Sequence, residues 1–555
     1  MVMAEATTKA RFAGLAVYLD RRIAIMLALG ISAGLPFMLI FDTLSAWLRT
    51  SGLTLEVIGF FSLATLSYAF KFVWAPLVDR APIPVLTRLL GQRRAWMLLA
   101  QVAIIAGLWA ISGTDPAVNL AMMAFFAVAT GFASATQDIA MDAWRIEVSE
   151  DHEQGAMVAA YTWGYRIARL IAGILPLIIA EAYSWSLSYF VMAAIMFLGV
   201  AATLFAPREK SVALRPVADD SVLVRPIADP IEWILRLFIL AVGAAALGSG
   251  LSARADLIAF FLPAAEGDAL KATWRAAGTG VFIQIASVAV GFVLFFLAAT
   301  PLKHRQTRPG TFLARAFFDP FADFFRNHRG EAGLILAVIC LYRVSDFTLN
   351  IMNPFYLDLG FTLTEIANVR KVWGLIWTML GVVLAGAAIA RWGMMTPFFI
   401  GAVVGPLSNL VFAWVATQGN DLPALMAAMA VDNVAEAFSG TCLIAYMSSL
   451  TTAGFTATQY ALFSSLYAIP GKLVGSQSGR VVESSARVAE EGGFLAPLRE
   501  FFAVPPEAMA KGAAAIDVSS ASLGAGYMSF FIYTFLVGLV AMVLTYVLVR
   551  RKASA

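Results

Sequence analysis

Long apolar runs separated by short polar connections make up most of the chain. A hydrocarbon core of about 30 Å needs roughly 20 mostly apolar residues per crossing helix. On that rule the pattern predicts spans near 23–48, 54–79, 95–112, 118–144, 155–180 and 186–206. Two more follow near 233–251 and 278–299, then a last set near 332–357, 364–390, 395–418, 423–450, 456–482 and 524–549. The sequence therefore reads as an all-α polytopic membrane protein of fourteen transmembrane helices. Its first apolar run is too long for the roughly 7–15-residue core of a signal peptide. Two segments fit neither span nor simple linker. Phe317, Phe321, Phe324 and Phe325 recur at helical spacing among Arg315, Asp319, Asp323 and Arg326, which suits a helix lying in the interface. Residues 484–523, with Pro505-Pro506, predict an outward loop carrying a short helix near 495–504.

Charge fixes the direction, because Lys and Arg concentrate in cytoplasmic loops. Lys9, Arg11, Arg21 and Arg22 precede the first span, and alternate connections are basic. One holds Arg80, Arg88, Arg93 and Arg94, the next Arg208, Lys210, Arg215 and Arg225. Lys303, Arg305, Arg308, Arg315, Arg326 and Arg329 precede residue 332, and Arg550, Arg551 and Lys552 follow the last span. Connections of the other parity, around Asp115, Glu181, Asp358 and Asp421, are short and acidic or neutral; 252–277, with charges of both signs, breaks the rule. Both termini are expected in the cytoplasm.

Composition narrows the function. Of 555 residues, 60% are hydrophobic and 14% charged, and the net charge is +3, which excludes a soluble multidomain enzyme and a nucleic-acid-binding chain. Cys340 and Cys442 share no motif spacing and read as free buried thiols. No GxxxxGK[ST] phosphate loop is present, so direct use of ATP within this chain is not expected.

Two echoes point to duplicated halves. Gly52-Leu-Thr-Leu-Glu56-Val-Ile-Gly59 returns as Gly360-Phe-Thr-Leu-Thr364-Glu365-Ile-Ala367, and Ala168-Arg169-Leu-Ile-Ala-Gly173 as Gly471-Lys472-Leu-Val-Gly475. Each pair occupies equivalent helices of two six-helix blocks, the arrangement of a secondary transporter. The expected organisation is a cytoplasmic N-terminus (1–22), a first bundle (23–206), a central insert with two extra helices and the interfacial segment (207–331), a second bundle (332–549) and a cytoplasmic tail (550–555).

Pro76-Leu-Val-Asp79-Arg80 followed by Gly91-Gln-Arg93-Arg94 resembles the signature loop of the major facilitator superfamily, lengthened by several residues. Leu35-Pro36, Ala46-Trp47, Ile58-Gly59-Phe60-Phe61, Phe70-Lys71-Phe72-Val73-Trp74, Ala135-Thr136-Gln137-Asp138, Asp142-Ala143-Trp144 and Gly164-Tyr165-Arg166 look like AmpG-type muropeptide permeases. Tyr342-Arg343 with Asp346, Asp432-Asn433 and Thr456-Ala457-Thr458-Gln459-Tyr460-Ala461-Leu462 continue the match in the second half. The resemblance implies the major facilitator fold and proton-driven import of N-acetylglucosaminyl-1,6-anhydro-N-acetylmuramyl peptides across the bacterial inner membrane. It also implies a role in cell-wall recycling and β-lactamase induction. The implied partners are an anionic glycopeptide, protons and the bilayer, with the protein monomeric and no cofactor besides the coupling proton.

Ionisable side chains at bilayer depth are costly and mark pathways. Arg166, Arg169, Arg343, Asp346, Asp432, Glu436 and Lys472 fall near the middle of their spans and are expected to converge between the halves. Arginines can hold the carboxylates of a muropeptide bidentately, while Trp163, Tyr165, Asn350, Asn353 and Asn433 are candidates for sugar and amide groups. These charged groups could instead simply pair to hold the bundles together. Asp138 and Asp142 lie four apart on one helix face, a candidate for reversible proton uptake. Asp142 is alternatively a gate residue paired with Arg80 or Arg93, and Lys71 can neutralise either aspartate. Asp79, Arg80, Arg93, Arg94, Arg145 and Glu147 are read as a structural gate. Competing functions are a carrier of another anion such as acetyl-coenzyme A, an intramembrane enzyme, and a transport-dead sensor. An enzyme is disfavoured because His152, His304 and His328 all fall in segments read as cytoplasmic. A sensor is expected to lack the central acids.

Overall fold

A computed structural model describes residues 20–51, 68, 71–150, 152–209, 224–252, 255–275, 280–300, 307–347, 351–475, 478–502 and 509–554. Every regular element among the described residues is helical, and ten of these helices are long and apolar enough to cross a membrane. The first half contains α1 (Arg21–Met38), α2 (Ala75–Arg80), α3 (Gln92–Ser112), α4 (Leu120–Val148), α5 (Gln154–Ala182) and α6 (Trp185–Phe205), all but the six-residue α2 among those ten. Most of the span expected at 54–79 lies outside the described residues. Its end is not one continuous helix: Lys71–Val73 forms a tight 3₁₀ turn, and α2 restarts after Trp74 with Pro76 in its first turn, where no amide donor is needed.

Glycine sets the crossing of α1 over α5. A Cβ at Gly164 would sit 2.0 Å from the Leu27 carbonyl oxygen, and one at Gly30 would sit 2.4 Å from that of Tyr161. Only bare backbones can approach this closely, and the approach holds Tyr165 and Arg166 beside α1. At the far end Trp47 stacks on Trp185, and the buried Tyr189 donates to the Leu39 carbonyl at 2.8 Å.

The insert supplies α7 (Ala228–Ser252) and α8 (Gly280–Ala299), close to the expected 233–251 and 278–299. They form a hairpin in which a Cβ on Gly291 would lie 2.8 Å from the Gly243 carbonyl. Arg236 donates to the carbonyls of Ala298 and Thr300, closing the end of α8. Glu232 accepts from Arg236 at 2.8 Å and from Thr307 at 2.6 Å. Thr307 also caps α9 (Arg308–Asn327), the amphipathic helix expected at 312–325.

The second half contains α10 (Ala332–Leu341), α11 (Met352–Asp358), α12 (Gly374–Trp392), α13 (Met395–Val415), α14 (Leu422–Ser449), α15 (Thr456–Gly475), α16 (Ser478–Glu490) and α17 (Ser520–Ser554). Two expectations need correction. The span at 332–357 is broken: α10 gives way to a turn at Tyr342–Arg343, where the Asp346 amide bonds back to the Arg343 carbonyl. Tyr342 stacks on Phe398 at 4.6 Å and donates to its carbonyl at 2.6 Å. Of the span expected at 456–482, residues 476–477 lie outside the described set; α16 lies along the start of α17, its Val482 and Ala486 pressed onto Gly526. The loop helix expected at 495–504 is a 3₁₀ segment, Ala496–Phe502, joined by an unexpected helix at Met509–Ala515; residues 503–508 lie outside the described set.

This outer segment is tied to α17 by charge. Glu490 accepts from the Ser519 amide at 2.9 Å and its hydroxyl at 2.6 Å. These bonds bring its carboxyl down to about 2 from the usual 4.5. A group whose folded value is depressed contributes stability above its unfolded value and loses it as pH falls through the folded one. Resistance of residues 491–519 to proteolysis is therefore expected to hold at neutral pH and decline between about pH 4.5 and 2. Ser519→Ala is expected to weaken that resistance already at neutral pH. An equal cleavage rate in wild type and variant would refute the assignment.

Candidate functional site

Three clusters of charge gather where the halves meet. The first lies at the end carrying the basic connections. Asp79, on α2, is 2% exposed. It takes Arg93 at 2.7 Å, and Arg93 also grips Glu147 of α4 through two nitrogens, at 3.0 and 2.7 Å. The remaining lone pairs of Asp79 reach the other half. They accept from the amides of Ala457 and Thr458 at 3.1 and 2.8 Å and from the Thr458 hydroxyl at 2.5 Å. A carboxylate of the first bundle thus caps the N-terminus of α15 in the second, where free amides and the helix dipole favour negative charge. Arg80 pairs with Asp319 of α9 at 3.7 Å and lies over the Phe455 ring. Arg145 bonds Gln154 at 3.1 Å and lies over the Tyr460 ring. These contacts close the two bundles against each other at this end.

Two residues expected in the gate stand elsewhere. Arg94 donates to the Ala206 carbonyl at the end of α6, away from Asp79. Asp142 pairs with neither Arg80 nor Arg93; its partners are Lys71 at 3.7 Å and Arg145 at 3.5 Å. The reason is register: Asp142 lies more than one turn before Glu147 along α4, so Glu147 is the acid that reaches Arg93.

The second cluster surrounds Asp138, one turn deeper on α4. It is 8% exposed, and its Oδ1 is buried with no hydrogen-bond partner among the described residues. Lys71 and Asp142 lie within electrostatic reach, as do the hydroxyls of Tyr161 and Tyr165 on α5. Tyr68 donates to Ser134 one turn away, at 2.7 Å.

The third cluster spans the gap between bundles. Arg343, at the break after α10, binds Asp346 at 2.9 Å and Glu436 of α14 at 2.7 Å. The Glu436 side chain remains 48% exposed. Arg166 on α5 feels the charges of Glu436, Arg343 and the neighbouring Arg169, so both halves contribute to one field. Arg169 is exposed.

Other candidates also bond between helices. Asn433 donates to the Met429 carbonyl at 2.7 Å and accepts from Thr378 at 2.9 Å, joining α14 to α12. Asp432 accepts from Ser408 of α13 at 3.0 Å. Trp163 donates to the Met379 carbonyl across the interface between halves, at 3.3 Å. Asn350 and the side chains of Asn353 and Lys472 lie outside the described residues.

Sequence reasoning missed three gate members. Thr458 donates its amide and its hydroxyl to Asp79. Gln459 accepts from the Thr452 amide at 2.7 Å and donates to the Pro320 carbonyl of α9 at 2.9 Å. Glu209 accepts the Arg93 amide at 2.8 Å. The polar run Thr456-Ala-Thr458-Gln459 opening an apolar span was the available signal for the first two.

The family model described as Major Facilitator Superfamily matches residues 23–287. An Escherichia coli protein named anhydromuropeptide permease is 28% identical over 473 residues, covering 85% of this chain and 76% of that protein. A Rickettsia felis protein named as an AmpG transporter is 29% identical over 469 residues, covering 84% of this chain and 91% of that one. Among solved structures, the proton:xylose symporter XylE bound to 6-bromo-6-deoxy-D-glucose superposes with a TM-score of 0.50 at 11% identity, covering 94% of this chain and 95% of that one. The chain is a multi-pass membrane protein whose residues 23–287 match a family of transporters. Over most of its length it resembles the AmpG-type permeases.

Proposed function

We propose that this transporter imports anhydro-muropeptides across the bacterial inner membrane by proton symport, feeding cell-wall recycling and thereby β-lactamase induction. One observation carries the assignment of the site: ionised side chains of both bundles meet between them, with Glu436 half exposed beside Arg343 and in the field of Arg166. A structural staple has no need of an accessible carboxylate. A solute carboxylate that displaces Glu436 from Arg343 would gain a bidentate partner and couple its own binding to the break after α10. The glycopeptide class rests on the likeness to the anhydromuropeptide permease. In this scheme Arg166, Arg169 and Arg343 hold the peptide carboxylates. Asp138, with Lys71 and Asp142 beside it, carries the proton, and the Asp79 gate shuts the cytoplasmic end.

The test is uptake of labelled N-acetylglucosaminyl-anhydro-N-acetylmuramyl tripeptide into proteoliposomes, with and without an imposed pH gradient. Accumulation is expected only with the gradient. Arg166→Ala is expected to lower affinity about tenfold, the cost of roughly one charge-assisted bond, with melting temperature unchanged. Unchanged affinity would make Arg166 a packing residue. Preference for acetyl-coenzyme A over the glycopeptide would replace the substrate.

A further inference from the structure

The inserted helices and α9 line an open apolar pocket against the gate. Its wall is formed by Phe72, Phe295, Phe317, Phe321, Leu462 and Thr458. Five of these are apolar, and the one hydroxyl is already bonded to Asp79. No group is left to orient a polar ligand, so the occupant is apolar where it enters.

The place of the cavity says what lies outside it. Phe72 comes just before α2, Ala299 ends α8, and Thr458 begins α15. Phe72 lies two turns before Arg80, and Ala299 precedes the basic connection that leads into α9. Residues 307–329 carry Arg308, Arg315, Arg326 and Arg329 against Asp319 and Asp323. A hydrocarbon-lined pocket beneath a basic surface fits an amphiphile with a negative headgroup. The half-exposed Phe296 stands at its rim, facing outward from the hairpin.

We propose that this cavity binds an acyl chain of an anionic phospholipid, and that its occupancy holds the Asp79 gate closed. The coupling follows from who owns the wall. Phe72 moves with the first bundle, whereas Thr458 and Leu462 move with the second. Phe295 bridges to Phe72 and to Phe317 of α9, at ring distances of 5.5 and 5.8 Å. α9 itself touches both sides, through Asp319 to Arg80 and through the Pro320 carbonyl to Gln459. Parting Asp79 from Thr458 pulls the wall in two, so the pocket exists only in the closed gate. A ligand of that one state shifts the population toward it.

The experiment reads the gate itself, so its failure is separate from any failure of the proposed substrate. Full-length protein with Cys340 and Cys442 replaced by serine carries spin labels at Leu89→Cys and Ala453→Cys, exposed positions in opposite halves. It is placed in nanodiscs of dioleoyl phosphatidylcholine, with or without dioleoyl phosphatidylglycerol. Phosphatidylglycerol is expected to raise the short-distance population several-fold. Phe317→Ser is expected to remove that response. Ala299→Phe, which fills the pocket, is expected to raise the closed population with phosphatidylcholine alone and to blunt any further rise. A distribution indifferent to phosphatidylglycerol would overturn the proposal. So would a full response in Phe317→Ser, or an Ala299→Phe protein that behaves as wild type.

Discussion

Asp138→Asn is expected to abolish accumulation driven by a pH gradient while leaving exchange of substrate down its own gradient intact. The Oδ1 of Asp138, buried on α4, has no hydrogen-bond partner among the described residues. A carboxyl there can pass from ionised to neutral without breaking a hydrogen bond at that oxygen, so protonation changes charge and little else. Lys71 and Asp142 feel that change directly, and Lys71 is the ion-pair partner of Asp142. The proton's arrival is thereby linked to the pairing at the inner end of α4. Asparagine keeps the shape of the neutral acid and removes the titration. Uptake and counterflow in proteoliposomes separate the two outcomes. If the variant still concentrates substrate against its gradient, the coupling acid lies elsewhere.

Arg93→Ala is expected to have the largest effect on stability. Arg93 is 3% exposed and serves two acids at once, Asp79 and Glu147. Removing one partner from a buried ion pair costs ~3–5 kcal/mol, because the remaining charge stays desolvated. Two acids are left here, so the upper part of that range applies. Asp79 keeps its bonds to Ala457 and Thr458, whereas Glu147 has no other hydrogen-bond partner among the described residues and must seek water. A lowered unfolding temperature in detergent, with increased labelling of a cysteine placed at the inner end of α15, would agree. Glu147→Gln added to Arg93→Ala is expected to recover part of the loss. Unfolding at the wild-type temperature in the single variant would contradict the arrangement.

The sequence made the fold class legible because membrane helices announce themselves by length: α3 through α8 fall within a few residues of the apolar runs. It misled where a run stayed apolar but the backbone broke. Between α10 and α11, hydropathy cannot register the turn at Tyr342–Arg343, because the residues around it stay apolar. Among site residues, spacing along one helix was readable: Arg343 with Asp346, and Asp138 with Asp142. Pairing between helices was not. Which acid of α4 reaches Arg93, and which amides Asp79 caps, depend on the relative height of three helices. Asn433 likewise spends one donor and one acceptor on α14 and α12, a pairing its place in the sequence does not reveal.

The last helix holds 35 residues, about 52 Å at 1.5 Å per residue, against a hydrocarbon core of about 30 Å. Its first turns are buried against α16 and the segments at 496–502 and 509–515, and Tyr527 pins them to Asp358 at 2.6 Å. The surplus turns therefore serve as the spine of a cap fused to the second bundle. Any rocking of the halves would carry that cap as one piece with the second bundle, so a probe bound to it would report the motion of that bundle alone.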